Sequence, residues 1–303
     1  MVNLSIIIVN YNAKDILSQC LNSIYENTKD IDFEIIVIDN NSNDGSSQII
    51  KQKFPQVKLI QNRANLGLTK AQNQGLKEAK ARYFLLLNND TLILPKALNI
   101  LMEFMDKTPP AGIGGPSIYD TNKKLQFSFA WHPKNPQLLL IYILFKKLFI
   151  KNELKKQNLD FNNILETDYV SGACLIIRRE AIDKIGLMDE GYFVYNEDDD
   201  LCLRARQSGW KIYYVPEAKV MHYKGKGGGQ LHPYRMIFEI HKGIFRLYRK
   251  FYLRPNLLLD GFMIGILTLR FSLAILLKIA SQLKALCLPH RIVAKRILNG
   301  RKT

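Results

Sequence analysis

Three short apolar runs, over residues 4–9, 34–38 and 83–87, each stop abruptly on a cluster of Asn and Asp, and that punctuation constrains the fold of this chain most. Short β-branched runs bounded by turn formers read as buried strands. Between the first two, Ile16, Leu17, Cys20, Leu21 and Ile24 recur at helical spacing behind a cap near Asn12. Residues 46–54 and 69–80 predict further helices and 57–61 a further strand. Pro95 opens a helix with Leu98, Leu101, Met102 and Met105 on one face. Strands alternating with helices in this way predict an α/β domain around a largely parallel sheet. In such sheets the ligand crevice lies beyond the carboxyl ends of the strands. The polar clusters 10–12, 39–44 and 88–90 all follow strands directly. Singly each reads as a turn or a helix cap; jointly they mark one edge of the sheet as a binding rim.

Beyond about residue 110 the alternation loosens. Residues 125–130 and 169–177 read as strands, 137–151 as a surface helix, 197–208 as a helix with charges crowded at its start, and 211–215 and 218–222 as short strands. The run Gly225-Lys-Gly-Gly-Gly229 reads as a hinge between a domain over 1–229 and a mostly helical extension over 230–303. The charge divides at nearly the same place. Residues 223–303 hold 16 of the 43 Lys and Arg against only Glu239 and Asp260, so +14 of the net +16 sits there. Residues 233–252 read as a basic amphipathic helix, and 257–280 as an apolar stretch broken by Asp260, Arg270 and Lys278. A charge near the middle of a membrane span costs a few kcal/mol. The pattern therefore predicts attachment to an anionic membrane surface without crossing, with Arg246, Arg249, Lys250, Arg254, Arg291, Lys295 and Arg296 at the headgroups. These cations alternate with aliphatic stretches and line no aromatic platform, which argues against nucleic acid as a partner. Cys20, Cys174, Cys202 and Cys287 form no Cys-x-x-Cys pair, so reduced, mostly buried thiols are expected. The first apolar run is too short for a signal peptide, and a peripheral place on the cytoplasmic face of the membrane is expected.

Five motifs, in order, resemble glycosyltransferase family 2, the bacterial rhamnosyltransferase-like branch in particular. They are Ser5-Ile-Ile-Ile-Val-Asn-Tyr-Asn12, Val37-Ile-Asp-Asn-Asn-Ser-Asn-Asp-Gly45, Asn65-Leu-Gly67, Leu85-Leu-Leu-Asn-Asn-Asp90 and Asn196-Glu-Asp-Asp-Asp-Leu-Cys-Leu-Arg-Ala-Arg206. The resemblance spans residues 4–229 and implies the GT-A fold, a Rossmann-like α/β architecture. It also implies a nucleoside-diphosphate-sugar donor and a divalent metal, Mg²⁺ or Mn²⁺. It gives Asp39 the role of accepting the base ring N–H. Val9, Asn10 and Tyr11 would line base and ribose, Asn65 and Gly67 would turn over the nucleotide, and Asn89 would contact the donor. The triplet Asn88-Asn89-Asp90 stands where the family carries Asp-x-Asp, so Asp90 is its one carboxylate; Asn88 keeps an oxygen without the charge. His222 stands where the family has a further metal ligand. Asp44 reads as a cap for the following helix, and Asn73 and Gly75 as packing.

Glu197-Asp-Asp-Asp200 admits two readings. Acidic groups at a helix start offset its dipole. The resemblance instead makes Asp198 the general base toward an acceptor hydroxyl, with Glu197 in support, and crowded like charges raise a carboxylate's pKa toward the working range of a base. The implied reaction is one in-line displacement with inversion, from a UDP- or dTDP-linked sugar, dTDP-rhamnose by resemblance, to a saccharide or lipid-linked acceptor in surface polysaccharide synthesis. Two alternatives stand beside it. A sugar nucleotidyltransferase would want a Gly-rich phosphate loop with Arg and Lys after the first strand, which Asn10-Tyr11-Asn12 does not supply. A non-catalytic nucleotide-sugar-binding relative is suggested by Asn88.

Overall fold

The apolar runs do form adjacent strands, and their register levels the polar clusters. The computed structural model describes residues 2–132, 152, 160–227, 232–251 and 257–299, by backbone alone at 258, 259 and from 283 onward. Strands β1 Leu4–Asn10, β2 Phe33–Asp39, β3 Lys58–Gln61 and β4 Tyr83–Asn88 run parallel in the order β3-β2-β1-β4. Asn10 lies opposite Asp39, and Val9 opposite Asn88, so all three strand ends finish together. Alternate residues serve opposite faces. Leu4, Ile6, Ile8 and Leu85 pack on one side with Leu17, Leu21 and Leu101, while Ile7, Ile36, Ile38 and Leu86 pack on the other with Ala71, Leu76 and Leu201. Burial on both faces is why these strands read as continuous apolar runs.

The helices of this half are α1 Lys14–Asn27, α2 Ser46–Lys53, α3 Leu68–Glu78 and α4 Ala97–Lys107. Their starts differ from expectation. Asn12 does not cap α1; its Oδ1 accepts from the Asn43 amide, and Asp44 receives the Lys14 amide at 2.7 Å. The other Asp44 oxygen accepts the amide and hydroxyl of Ser46, so one carboxylate serves the starts of both α1 and α2. Burial alone would raise Asp44, but these hydrogen bonds prevail and hold it below its ordinary value. Helix α4 begins two residues after Pro95, because Lys96 takes a left-handed conformation (φ 63°).

Past residue 110 the sheet continues through strands that composition conceals. In the order β4-β11-β6-β12-β5 follow β11 Cys174–Arg178, β6 Ala111–Tyr119, β12 Lys211–His222 and β5 Thr91–Ile93. Strand β6, which holds Gly112, Gly114, Gly115 and Pro116, was not among the expected elements. Cβ atoms added at Gly112 and Gly115 would come within 2.6 Å of Trp210 and Val170, so close packing, not turning, sets these glycines. The expected strand 125–130 splits into β7 Leu125–Gln126 and β8 Phe129–Ala130, and 169–177 splits into β10 Tyr169–Val170 and β11. Strands β8 and β10 make a separate ribbon, and β9 Leu165–Thr167 pairs with β12. Conversely, 211–215 and 218–222 are one strand with a bulge between Val215 and Lys219. Helices α5 Arg179–Ile185 and α6 Glu197–Gln207 complete this half. The expected helix at 137–151 lies outside the described residues.

The extension forms α7 Pro233–Phe251 and α8 Leu257–Asn299. They pack together through buried Met263 and Leu267 and through Phe271, which meets Phe238 and His241 edge-on. Helix α7 also docks on α6, with Leu247 and Phe251 against Tyr192 and Leu203. Three cations expected at membrane headgroups are paired within the protein while staying partly exposed: Arg246 pairs with Asp189, Arg249 with Asp260, and Lys250 with Asp189 and Asp200.

Candidate functional site

At the rim, one hydrogen-bonded chain ties β1, β2 and the end of β4. The Asn89 amide donates to Asn10 Oδ1 at 2.8 Å, and the Asn10 amide donates to Asp39 Oδ1 at 3.0 Å. Asp39 is buried and also accepts the Ser42 hydroxyl and amide and the Ser47 hydroxyl, at 2.6, 3.2 and 2.8 Å. All four acceptor positions of the carboxylate are thus met from within the chain. Beside it, Val9 and Tyr11 are half-buried, with the Tyr11 ring lying parallel to His232 at 6.4 Å. Asn65 Oδ1 accepts the Gly67 amide at 3.0 Å, making a tight turn in which Gly67 sits at φ 86°. A side chain there would strike Phe193, whose carbonyl accepts the Leu68 amide at 2.7 Å. Asn73 ties α3 to the same loop through the Met188 carbonyl and amide and Glu190, while Gly75 lies against Ile7 and Ile38.

Asp90, just past the end of β4, and His222, the last residue of β12, come together although 132 positions separate them in the sequence. Asp90 Oδ1 stands 3.2 Å from His222 Nε2, and its Oδ2 accepts the amides of Lys226 and Gly227 at 3.0 Å each. Burial alone would raise Asp90; His222 and these amides outweigh it and hold the carboxyl below its ordinary value. The separation of 3.2 Å is close to that of adjacent ligands on an octahedral ion with bonds of about 2.1 Å. Among the described residues no set of three His, Cys, Asp or Glu gathers as a cage. Two protein ligands suit an ion that completes its sphere with water and diphosphate oxygens.

Across the crevice, the four carboxylates that open α6 diverge. Asp198 Oδ2 accepts the Tyr169 hydroxyl at 2.9 Å and the Gly172 amide at 2.8 Å. Asp199 meets His132 Nε2 at 2.8 Å. Asp200, fully buried, meets Arg204 Nε at 2.7 Å and Lys250 Nζ at 2.6 Å. Glu197 is buried too, but its Oε2 has no hydrogen-bond partner among the described residues. Burial first, and then the Asp198 charge, push the Glu197 carboxyl well above its ordinary range. Arg206 braces the cluster indirectly by pairing with Asp168 at 2.6 Å, whose other oxygen accepts the His132 amide. Helix α6 is aimed by Tyr195 and Asn196, successive residues at φ 70° and 65°, a costly arrangement for non-glycine residues. Burial raises the Tyr195 hydroxyl, and the charges of Glu197 and Asp90 add to the rise. The acidic helix and the strand end are joined through residues 172–173: the Gly172 amide donates to Asp198, and the Ala173 carbonyl accepts the Asn88 amide at 3.0 Å and the Thr91 hydroxyl at 3.2 Å.

The family model described as Glycosyl transferase family 2 matches residues 5–186. The chain belongs to this family. An N-acetylglucosaminyl-diphospho-decaprenol L-rhamnosyltransferase of Mycobacterium tuberculosis is 28% identical over 213 residues, covering 65% of this chain and 68% of the relative. The dTDP-rhamnosyl transferase RfbF of Shigella flexneri is 24% identical over 253 residues, 82% of this chain and 77% of that one. Among solved structures, the mannosyltransferase PcManGT of Pyrobaculum calidifontis in complex with GDP-Man and Mn²⁺ aligns over 99% of this chain and 81% of its own at TM-score 0.56 and 16% identity. The fold is GT-A, and this glycosyltransferase falls with the rhamnosyltransferase-like members of its family, as the motifs implied. Sequence reasoning missed Tyr169, Gly172, Tyr195, Asp189 and Lys250 as neighbours of the acidic helix. A signal was present for Gly172: Ser171-Gly172-Ala173 breaks an otherwise β-branched run with small residues, a mark of a bulge or close approach.

Proposed function

We propose that this chain transfers a sugar, with inversion at the anomeric carbon, from a nucleoside-diphosphate sugar to a hydroxyl of a saccharide or lipid-linked acceptor in surface polysaccharide synthesis. The observation that carries the proposal is that two acidic centres, Asp90 with His222 and the start of α6, meet at residues 172–173, where the Gly172 amide donates to Asp198 and the Ala173 carbonyl accepts the Asn88 amide and the Thr91 hydroxyl. An inverting transfer needs negative charge neutralised on the leaving side and a proton acceptor on the attacking side. Asp198 is the base: held by Tyr169 and Gly172, it takes the acceptor proton as the oxygen attacks. Glu197 supports it from below, and the neutral form that burial favours limits repulsion between the two. Asp90 and His222 would hold a divalent cation, Mg²⁺ or Mn²⁺, which when bound supplies positive charge to the departing diphosphate. Asp39 meets the base ring N–H by exchanging one of its serine partners for it. Val9, Asn10, Tyr11, Asn65, Gly67 and Asn89 frame the nucleotide. The Shigella relative's name supports dTDP-rhamnose as donor, and the mycobacterial name supports a lipid-linked acceptor. A melting-temperature screen across nucleotide sugars, each with Mn²⁺ or with chelator, tests the reading. Stabilisation by dTDP-rhamnose in Mn²⁺ is the expected result; no shift with any sugar nucleotide would remove it.

We further propose that the α7–α8 hairpin rests on the cytoplasmic face of an anionic membrane. Residues Asp260–Gln282 are long and apolar enough to cross one, yet Asp260, Arg270 and Lys278 favour an interfacial position. Phe262, Leu269, Leu273, Leu276 and Leu277 are all more than half exposed along α8 and supply the apolar face. Release of the full-length protein from membranes by carbonate would agree with this; retention through carbonate would indicate a span instead.

A further inference from the structure

Helix α7 touches the loop before the acidic helix at successive turns. Arg235 stacks over the Phe193 ring at 3.9 Å. The Ile240 carbonyl accepts the Asn196 amide at 3.3 Å, and Gly243 lies so close that a Cβ there would stand 2.6 Å from Asn196 Nδ2. Arg246 grips Asp189 with Nε and Nη2 and packs its guanidinium on Gly191. Lys250 then reaches two carboxylates at once, Asp189 at 2.9 Å and Asp200 at 2.6 Å. From its other side the same loop holds the donor-side turn, through Tyr192 to Thr69 and Phe193 to Leu68. The strained pair Tyr195-Asn196 is therefore clamped between the nucleotide rim and the C-terminal helix.

We propose that Lys250, with Arg246, is a positioning residue for transfer: it fixes α6 so that Glu197 and Asp198 face the acceptor. Asp200 lies two residues after Asp198 in the same helix, is fully buried, and among the described residues has Arg204 as its other cation. Removing one partner from a buried ion pair leaves the remaining charge to relax its surroundings. That relaxation acts on α6 through Asp200, whereas the donor-side turn keeps its own ties to the loop through Asn73, Thr69 and Leu68, none of which involves Lys250. Loss of Lys250 should accordingly lower turnover and spare donor binding. The inference rests on the glycosyltransferase reading above.

The test uses the full chain, with turnover expressed per mole of donor bound so that unfolded protein does not count as slow protein. Lys250→Met is expected to lower kcat about tenfold or more at a donor Kd within about twofold of wild type, and Lys250→Arg to restore most of it. Combined with Asp200→Asn, Lys250→Met should be clearly non-additive, as for residues in direct contact. Gly243→Ala favours its own helix yet presses on Asn196, and should lower kcat in the same donor-sparing way even if Lys250→Met fails to fold. Wild-type kcat in both Lys250→Met and Gly243→Ala, or losses matched in donor Kd, would overturn the positioning role alone. Absence of transfer by the wild-type chain with every donor would overturn the activity and this inference together.

Discussion

The strand-end rim and the start of α6 are both polar and largely buried, but they are built in opposite ways. Apart from Asn89, the rim is closed by residues within one stretch: Asn10, Asn12, Asp39, Ser42, Asp44, Ser46 and Ser47 satisfy one another. The acidic helix is held from three separate segments outside the parallel half, with Tyr169 and Gly172 on Asp198, His132 on Asp199 and Lys250 on Asp200. A locally closed rim is complete once two βα units have folded, and its geometry belongs to the parallel half of the sheet. The helix start is complete only when the middle segment and the C-terminal helix have joined it. The rim is thus suited to holding a donor, and the helix start to controlling when chemistry follows.

The largest expected effect separates the two regions most sharply. Asp198→Asn keeps the shape and both hydrogen-bond distances within reach of an amide oxygen, but an amide cannot take the acceptor proton. Loss of a general base costs about 10²–10⁴-fold in rate, so turnover should fall by that much while donor binding measured by calorimetry stays near wild type. Turnover above about a tenth of wild type, or an equal loss of donor affinity, would erase the division between binding rim and reactive helix.

Asp90→Ala should be nearly as damaging but different in kind. It removes the only carboxylate of the strand-end triplet, the partner of His222 and the anchor for the Lys226 and Gly227 amides. Both donor affinity and turnover should drop, and the stimulation of wild-type activity by Mn²⁺ should disappear in the variant. Undiminished wild-type turnover in excess chelator would show that Asn88 marks a metal-independent site, and the ligand role of His222 would fall with it.

This difference in construction also explains what was legible in the sequence. The rim could be read because each of its clusters directly follows a strand of the parallel sheet: Asn10, Asp39 and Asn89 meet as the strand ends implied. Helix α6 was legible as a helix, but the role of its acidic residues and the pairing of Asp90 with His222 were accessible only through resemblance to a family, since no local pattern joins residues so far apart. Strand β6 was hidden because its glycines serve close packing against Trp210 and Val170, and glycine ordinarily signals a turn. The partners of the cations on α7 were not legible either. Charge composition shows how many cations a helix has, but not that Arg246 and Lys250 face carboxylates inside the molecule.

A milder substitution sharpens the comparison from the rim side. Gly75→Ala places a Cβ 2.5 Å from Ile7 Cγ2 and 2.9 Å from Ile38 Cδ1, at the contact that seats α3 on β1 and β2. Overpacking of this kind costs about 1–3 kcal/mol, against a helix-propensity gain of up to about 1 kcal/mol. A net destabilisation of roughly 1 kcal/mol by urea denaturation is expected, with turnover per donor-binding molecule unchanged. Lower turnover at full donor binding would mean that rim packing reaches the helix start after all.

The smallest effect concerns the pH dependence of stability, and it comes from Glu197. Its folded-state pKa is raised well above the ordinary value of 4.5, by burial and by the charge of Asp198. The folded chain therefore keeps a proton there that the unfolded chain releases once the pH exceeds about 4.5. Where the native state binds more protons than the unfolded state, stability falls as pH rises. Glu197 accordingly contributes a loss of stability that starts near its unfolded pKa and continues until pH reaches the raised folded value. This is opposite in sign to Asp90 and Asp44, whose lowered values make their contribution present at neutral pH and lost on acidification. Glu197→Gln retains the neutral shape without the titration, so the decline above pH 4.5 should flatten, and the variant should melt higher than wild type at pH 7 to 8. Melting temperatures of both proteins from pH 4.5 upward measure the difference directly. Parallel curves would mean that Glu197 ionises freely in the folded chain, and the buried, neutral support proposed for Asp198 would have to be abandoned.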